Sequence, residues 1–308
     1  MQVHYDLEQL PPFRNAVVTI GTFDGVHLGH REILRAQRQA ADRCGGETLV
    51  ITFDPHPRKI VQGASLELIT TLSEKAALLE SLGVDHLVVV PFNAEFAAQE
   101  ADAYVRDFLV GRFHPHTLII GYDHRFGKGR SGGYELLEAL QARYGYQLIE
   151  IPQQLVHSIG VSSTKIRQAL KQSDVAAAEE LLGYRFSFEG TVIHGDKLGR
   201  TIGYPTANLS YTDSDKIRLG EGVYAATATL HKDTIGGMLS IGKRPTLNDV
   251  VERVEINLFD FNKDIYEEQL RVEVHSYLRP QEKYTSLDAL KEQLHLDKVN
   301  ALAALKGS

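Results

Sequence analysis

The sequence predicts an α/β protein of two domains: a doubly wound parallel sheet, then a compact antiparallel sheet or barrel followed by a terminal helix. Three observations carry this. The 308 residues exceed what one domain usually holds. The first half alternates short Val- and Ile-rich runs with amphipathic stretches, as strands covered by helices on both faces do. After about Gly183 the apolar period falls to two, and Gly, Asp, Asn and Pro turns divide the runs. The boundary is expected near residues 183–187, giving domains 1–184 and 185–308.

The first expected strand, Ala16–Ile20, leads through a glycine-rich turn into a helix over Arg31–Arg43. Strands Thr48–Phe53, His86–Phe92, Thr117–Ile120 and Gln147–Ile151 follow, with a helix over Glu74–Leu82 before the third strand. Thr71 and Glu74 have the spacing of a capping box at that helix start. Repeated βα units imply parallel pairing, with ligands at the C-terminal ends of the strands. In the second domain Gly222–Leu230, Gly237–Ile241 and Val251–Phe261 read as strands. Leu270, Val272, Val274 and Leu278 are expected on one face of a further strand. A last helix is expected over Ser286–Leu294, with Thr285 and Asp288 as its capping pair.

Composition narrows the classes. Hydrophobic residues are 43% and charged residues 24%, enough for a core in each domain. A net charge of −7 argues against a broad nucleic-acid surface, which needs clustered Lys and Arg. Cys44 is the single cysteine, which excludes an intrachain disulfide framework and a multi-cysteine metal site. Met1–Phe13 carries acidic residues and lacks the apolar run of a signal peptide. No stretch approaches the roughly 18 consecutive apolar residues of a membrane span. A soluble cytoplasmic protein is expected, with no membrane or nucleic-acid partner; protein partners are not legible.

The strongest local signal is the run from Gly21 to His30, placed between a strand and a helix. Its glycines at 21, 25 and 29 allow a sharp turn and close approach of a ligand. The following helix start offers free N–H groups and a positive dipole end to a phosphate. His27 and His30 can then donate to phosphate oxygens as charge builds there. Two histidines three apart are also compatible with metal binding or a solvated helix face, but the strand–turn–helix setting favours phosphate. Near the end of the domain Ser162, Ser163 and Thr164 precede Arg167 by one turn. Hydroxyls at a helix start are ordinary caps; with an arginine they can also clamp a polyphosphate.

Gly21–His30 resembles the HxGH signature of the nucleotidyltransferase superfamily, and Val161–Arg167 resembles its second signature. Thr52–Pro57 and Gly121–Gly127 are similar to the FMN-binding loops of bacterial bifunctional FAD synthetases. The resemblance implies that Gly21, Phe23, Gly29, Ser162, Ser163, Thr164 and Arg167 bind ATP phosphates, with His27, His30 and Arg167 catalytic. It also implies that Pro57, Tyr122, Asp123 and Arg125 lie near the flavin or its phosphate. Asn93 belongs to a further family-like stretch, and His124 stands where the family more often has an aromatic such as Phe.

In the second domain the run Gly199–Leu209 has the composition of a surface loop. Within it Pro205-Thr-Ala-Asn208 matches the PTAN signature of riboflavin kinases, and Gly190–Gly195 resembles their first barrel strand. The family assigns Thr206 and Asn208 to a Mg²⁺ ion shared with ATP, places Gly199 and Gly203 at the nucleotide, and makes Glu255 the catalytic carboxylate. By strand alternation Glu255 and Asn257 share one face, opposite Val254, Ile256 and Leu258. A lone strand glutamate is more commonly solvated; the PTAN match reverses that preference. Asn257 and Ser240 depart from the family's His and Asn, within Val254–Asn257 and Ser240–Thr246, and Leu278–Tyr284 resembles its terminal segment. The resemblance thus implies a bifunctional transferase that phosphorylates riboflavin to FMN and adenylates FMN to FAD, using ATP and Mg²⁺. The alternative is an FMN adenylyltransferase whose barrel only binds flavin and regulates.

Overall fold

The continuous apolar runs become the inner strands of a parallel sheet in a computed structural model, which describes residues 1–63, 65–152, 160–195, 198–245 and 250–307. By backbone contacts the chain divides into Met1–Ser163 and Thr164–Ser308.

In the first unit the sheet contains β1 (Gln2–His4), β2 (Val17–Ile20), β3 (Thr48–Asp54), β4 (His86–Pro91), β5 (Thr117–Gly121) and β6 (Gln147–Ile151). Their order is β1-β4-β3-β2-β5-β6, and every pair is parallel. The expected strands are all present; β1 is an additional edge strand, too short to show a period. Val17, Val18, Leu49, Val50, Ile51, Leu87, Val88 and Ile119 are essentially inaccessible, as strands covered on both faces require.

Helix α1 (Leu28–Cys44) starts earlier than the expected Arg31, because the His27 side chain caps it and the next residues already wind. It ends at Gly45 in the left-handed conformation, a common helix stop. After α2 (Pro57–Gln62) comes α3 (Leu72–Ser81), and both halves of the Thr71/Glu74 capping box form. Further helices of this unit are α4 (Ala94–Ala97), the run Ala101–Phe113 with a π-helical centre, and α5 (Tyr134–Tyr144). Chain progression moves from β2 to β3 and β4 on one side, then returns to β5 on the other. The turn after β2 therefore opens where the order reverses, the usual ligand position of such sheets.

The second unit begins within α6 (Ser163–Lys171) and continues through α7 (Val175–Leu182). These helices join the barrel: Gly220 N donates to Leu170 O at 2.9 Å, and the Tyr224 hydroxyl donates to Ser173 Oγ at 2.9 Å. Strands β7 (Ser187–Ile193), β8 (Ala207–Tyr211), β9 (Gly222–Leu230), β10 (Asp233–Pro245), β11 (Val250–Leu258) and β12 (Gln269–Arg279) follow. They form a closed antiparallel barrel in the order β10-β11-β8-β7-β12-β9. Tyr224, Ala226 and Ala228 are fully buried on one face of β9. Ala225, on the other face, packs with Met238, Phe259 and Ala301 of α8 (Leu287–Lys306).

Five sequence expectations change here. Leu278 leaves the face of Leu270, Val272 and Val274, because register shifts at Val274/Ser276 and Tyr277/Arg279 break the alternation; it packs instead with the Ala225–Ala301 cluster. The cap of α8 is Ser286, not Thr285, with its side chain accepting from Ala289 N at 3.1 Å. The helix also runs past Leu294 to Lys306, since Asp297 and Ala301 are buried on its inner side. Finally, the last three residues of the expected loop Gly199–Leu209 belong to strand β8, and β10 extends on both sides of Gly237–Ile241. Thr246 lies outside the described residues.

A buried ion pair secures α8. Asp297, 1% exposed, accepts from Arg279 Nε and Nη2 at 2.8 and 2.7 Å and from Gln293 Nε2 at 2.9 Å. Removing one partner leaves an uncompensated buried charge, so Asp297→Ala is expected to destabilise the second unit by about 3–5 kcal/mol. Urea unfolding followed by circular dichroism measures this; an unchanged midpoint would mean the pair is replaceable.

Candidate active sites

The turn after β2 is built from unusual backbone. Phe23 and Val26 take positive φ, and Gly25 sits at +83°, where an L side chain would be strained. Asp24 braces the turn from within: its Oδ1 accepts from Ile69 N at 2.9 Å and Thr70 N at 3.1 Å, while Thr70 Oγ1 accepts from Gly25 N at 3.0 Å. The Ser163 hydroxyl donates to Asp24 O at 3.1 Å, tying the second signature to the first. Ser162 adjoins it, half-buried; Gly21 follows β2, and Gly29 lies in the first turn of α1. Thr164 and Arg167 follow on α6, beyond the division between units.

His27 and His30 stack, with ring centroids 3.7 Å apart and planes 12° from parallel, and Phe23 lies 5.1 Å from His30. The His30 backbone N–H donates to His27 Nδ1 at 3.4 Å, which assigns the proton of a neutral His27 to Nε2. Burial pushes His27 down to about 4, its own backbone hydrogen bond opposing. His30 lies well below the usual imidazole range, chiefly by burial, then through His27 and Lys75. At neutral pH both are uncharged donors. His30 Nδ1 is buried with no hydrogen-bond partner among the described residues.

The two flavin-like segments leave β3 and β5, the strands flanking β2, at the same sheet edge. Pro57 is the first residue of α2, following the cap His56. Tyr122 N donates to Ile151 O at 3.2 Å, and Arg125 stands 3.7 Å from Glu135. Asp123 is exposed. His124 is pushed down to about 4 by burial, against the pull of Asp123, and lies 5.7 Å from the Phe126 ring. Asn93 caps α4, accepting from Phe96 N at 2.8 Å.

In the barrel the expected residues converge. Glu255 on β11 pairs in register with Asn208 on β8, and Thr206 Oγ1 donates to Glu255 Oε2 at 3.4 Å. Arg253 stands 3.6 Å from Glu255 Oε1. A Cβ on Gly195 would fall onto the Asn208 carboxamide, so a side chain there would displace that group. Gly199 lies in the short helix Leu198–Thr201, where its carbonyl accepts from Tyr204 N at 2.9 Å; Gly203 follows the helix. A cleft of about 310 Å³ opens beside Thr206, lined by Val192, Arg200, Pro205, Ile256, Lys263 and Tyr266 among others.

Two features escaped the sequence reading. Asn257, counted there as a departure, is 5% exposed and donates through Nδ2 to Pro205 O at 2.7 Å, so it fastens the PTAN segment to the strand of Glu255. Lys75, which a helix pattern reads as solvated, is buried beside Thr52. Nothing in the pattern marked either; only the strand pairing and the layer above β3 do so.

Comparison with known proteins covers both units. The FAD synthetase family model matches residues 11–165, and the riboflavin kinase model matches residues 182–305. A bifunctional riboflavin kinase/FMN adenylyltransferase of Haemophilus influenzae is 38% identical over 292 residues, 94% of each chain. Proteins of the same name from Escherichia coli K12 and Bacillus subtilis are 35% and 34% identical, covering 96% and 93% of this chain and 95% and 92% of theirs. A crystal structure described as a macrolide-efflux protein from Streptococcus pneumoniae aligns with a TM-score of 0.86 and 30% identity, over 96% of this chain and 97% of that one. No helix among the described residues is long and apolar enough to cross a membrane. With a phosphate-type turn in one unit, a PTAN barrel in the other and matches spanning both, the chain belongs to the bifunctional riboflavin kinase/FMN adenylyltransferase family.

Proposed function

We propose that the Gly21–His30 turn carries adenylyl transfer to FMN and that Thr206, Asn208 and Glu255 carry phosphoryl transfer to riboflavin. The chain is a bifunctional transferase: with ATP it phosphorylates riboflavin to FMN, then adenylates FMN to FAD with release of pyrophosphate. The observation that supports the kinase assignment best is the meeting of Thr206 and Asn208 with Glu255 across one strand pair.

Glu255 orients the ribityl 5′-hydroxyl and accepts its proton as oxygen bonds to the γ-phosphorus and ADP departs. Thr206 and Asn208 would hold Mg²⁺; neutral oxygens beside a single carboxylate are a hard donor set that suits this ion and leaves it room for waters and phosphate. Mg²⁺ bound there would neutralise phosphate charge. Gly199 and Gly203 let the backbone approach the nucleotide, and Asn257 Nδ2 holds the Pro205 carbonyl of the PTAN segment.

In the first unit an FMN phosphate oxygen attacks the α-phosphorus of ATP and pyrophosphate leaves, with no proton to move. His27 Nε2–H and His30 donate to the oxygens that gain charge. Gly21, Phe23, Gly29, Ser162, Ser163, Thr164 and Arg167 form the proposed phosphate-binding set, and Pro57, Tyr122, Asp123 and Arg125 the flavin-binding set. The functional halves are proposed as 1–184 and 185–308, acting in the cytoplasm.

The test is to incubate the protein with riboflavin, ATP and Mg²⁺ and to separate the flavins. FMN and FAD are both expected, and chelating the metal is expected to abolish both. FAD from supplied FMN, with none from riboflavin, would reduce the barrel to a flavin-binding regulator.

A further inference from the structure

Lysine is rarely buried without a purpose for its charge. Lys75, on the first turn of α3, is 7% exposed, and its Nζ donates to Thr52 Oγ1 at 3.2 Å. The Thr52 hydroxyl in turn donates to the carbonyl of Thr22 at 3.2 Å, within the turn that presents the two histidines. The ammonium thus lies beneath that turn, one side chain removed from its backbone. Asp24 in the turn and Asp54 at the end of β3 are the acidic groups whose charge favours it, and its own charge, with that of His27, acts on His30 of α1. The Asp24 carboxylate is already engaged by Ile69 N and Thr70 N, so Lys75 does not merely neutralise a free acid.

We propose that Lys75 is a positioning residue for adenylyl transfer: through Thr52 its ammonium fixes the Thr22 carbonyl, and with it the backbone that presents His27 and His30 to the phosphates. This rests on the assignment of adenylyl transfer to that turn. Its placement also sets a charge against His30. Burial and a neighbouring cation both disfavour protonation of that ring, so the pair meets phosphate as neutral donors.

The experiment uses the full chain and measures FMN adenylylation, riboflavin phosphorylation and melting temperature together. Lys75→Met keeps the length and removes the charge. Turnover of FMN to FAD is expected to fall by on the order of 10²-fold, the usual effect of a misplaced catalytic geometry, with KM for FMN little changed. Phosphorylation by the barrel is expected to persist. The acid limb of the adenylylation profile is expected to move to higher pH, because removing a cation that acts on His30 raises the pH at which its ring protonates. A structural plug would not move that limb. Lys75→Arg is expected to recover part of the turnover.

Thr52→Val, which breaks the link without touching the charge, is expected to lower turnover as well, and the double variant to be no worse than Lys75→Met. Full turnover in Thr52→Val overturns the proposal, including where Lys75→Met fails to fold. So does Lys75→Met with parental turnover and an unmoved acid limb. Undiminished FAD synthesis by His30→Ala would instead sink the assignment of the turn, separating that failure from this one.

Discussion

Glu255→Gln is expected to lower riboflavin phosphorylation by about 10²–10⁴-fold, the range a general base contributes. The carboxylate lies beside the Thr206 hydroxyl and opposite Asn208, so the substituted amide keeps its size and its reach but cannot take a proton. The ribityl hydroxyl is a poor nucleophile until that proton has a destination. Conversion of supplied FMN to FAD is expected to be retained, because that chemistry is proposed for the Gly21–His30 turn and not for the barrel. A glutamate kept only for its contact with Arg253 would behave differently, lowering melting temperature and turnover together. Turnover measured at saturating riboflavin and ATP, with the melting temperature alongside, separates the two. Kinase turnover within a few-fold of the parent would assign the base elsewhere.

His30→Ala is expected to reduce FAD synthesis by about 10²–10³-fold, the loss seen when one preorganised donor to a developing charge is removed. FMN is expected to accumulate from riboflavin, since the barrel is untouched. The ring is buried and stacked on His27, so some loss of stability accompanies the change; phosphorylation by the same chain and a urea titration of the first unit separate stability from chemistry. The pair also gives the first unit a pH dependence of definite sign. The unfolded chain takes up protons on these rings near the ordinary 6.5, whereas folded His27 does so only near about 4. In that window the unfolded state binds more protons, so stability falls as pH drops from 6.5 towards 4. Urea midpoints of the parent at pH 7 and pH 5 check this; a higher midpoint at pH 5 would contradict the burial of the pair.

The parallel sheet was legible because strands covered on both faces are apolar without interruption, and β2, β3 and β5 show that plainly. Local chemistry was legible where it acts over a few residues, as in the Thr71/Glu74 box. Alternation failed at Leu278 because a bulge adds a residue to one strand without a mark in its own sequence. Strand β8 was hidden because it begins inside a stretch of Pro, Thr and Asn, and its strand character comes from partners far along the chain. The candidate residues of the barrel were read from their motif, but the bond from Asn257 to Pro205 needs the fold, since a buried amide and an exposed one look alike in sequence. Lys75 was missed for a similar reason. A lysine among polar helix residues is read as solvated until the layer above β3 is known.

Barrel closure has a consequence for the order in which the protein matures on the ribosome. The last strand, β12, pairs with both β7 and β9, so neither of those strands is satisfied on that side until residue 279 has emerged. Up to that moment two open edges are available to foreign strands, the exposure from which misassociation starts. The parallel sheet, by contrast, has its final strand in hand at Ile151. During each round of translation the adenylylating half therefore has its strands complete while the kinase half is still an unclosed ribbon.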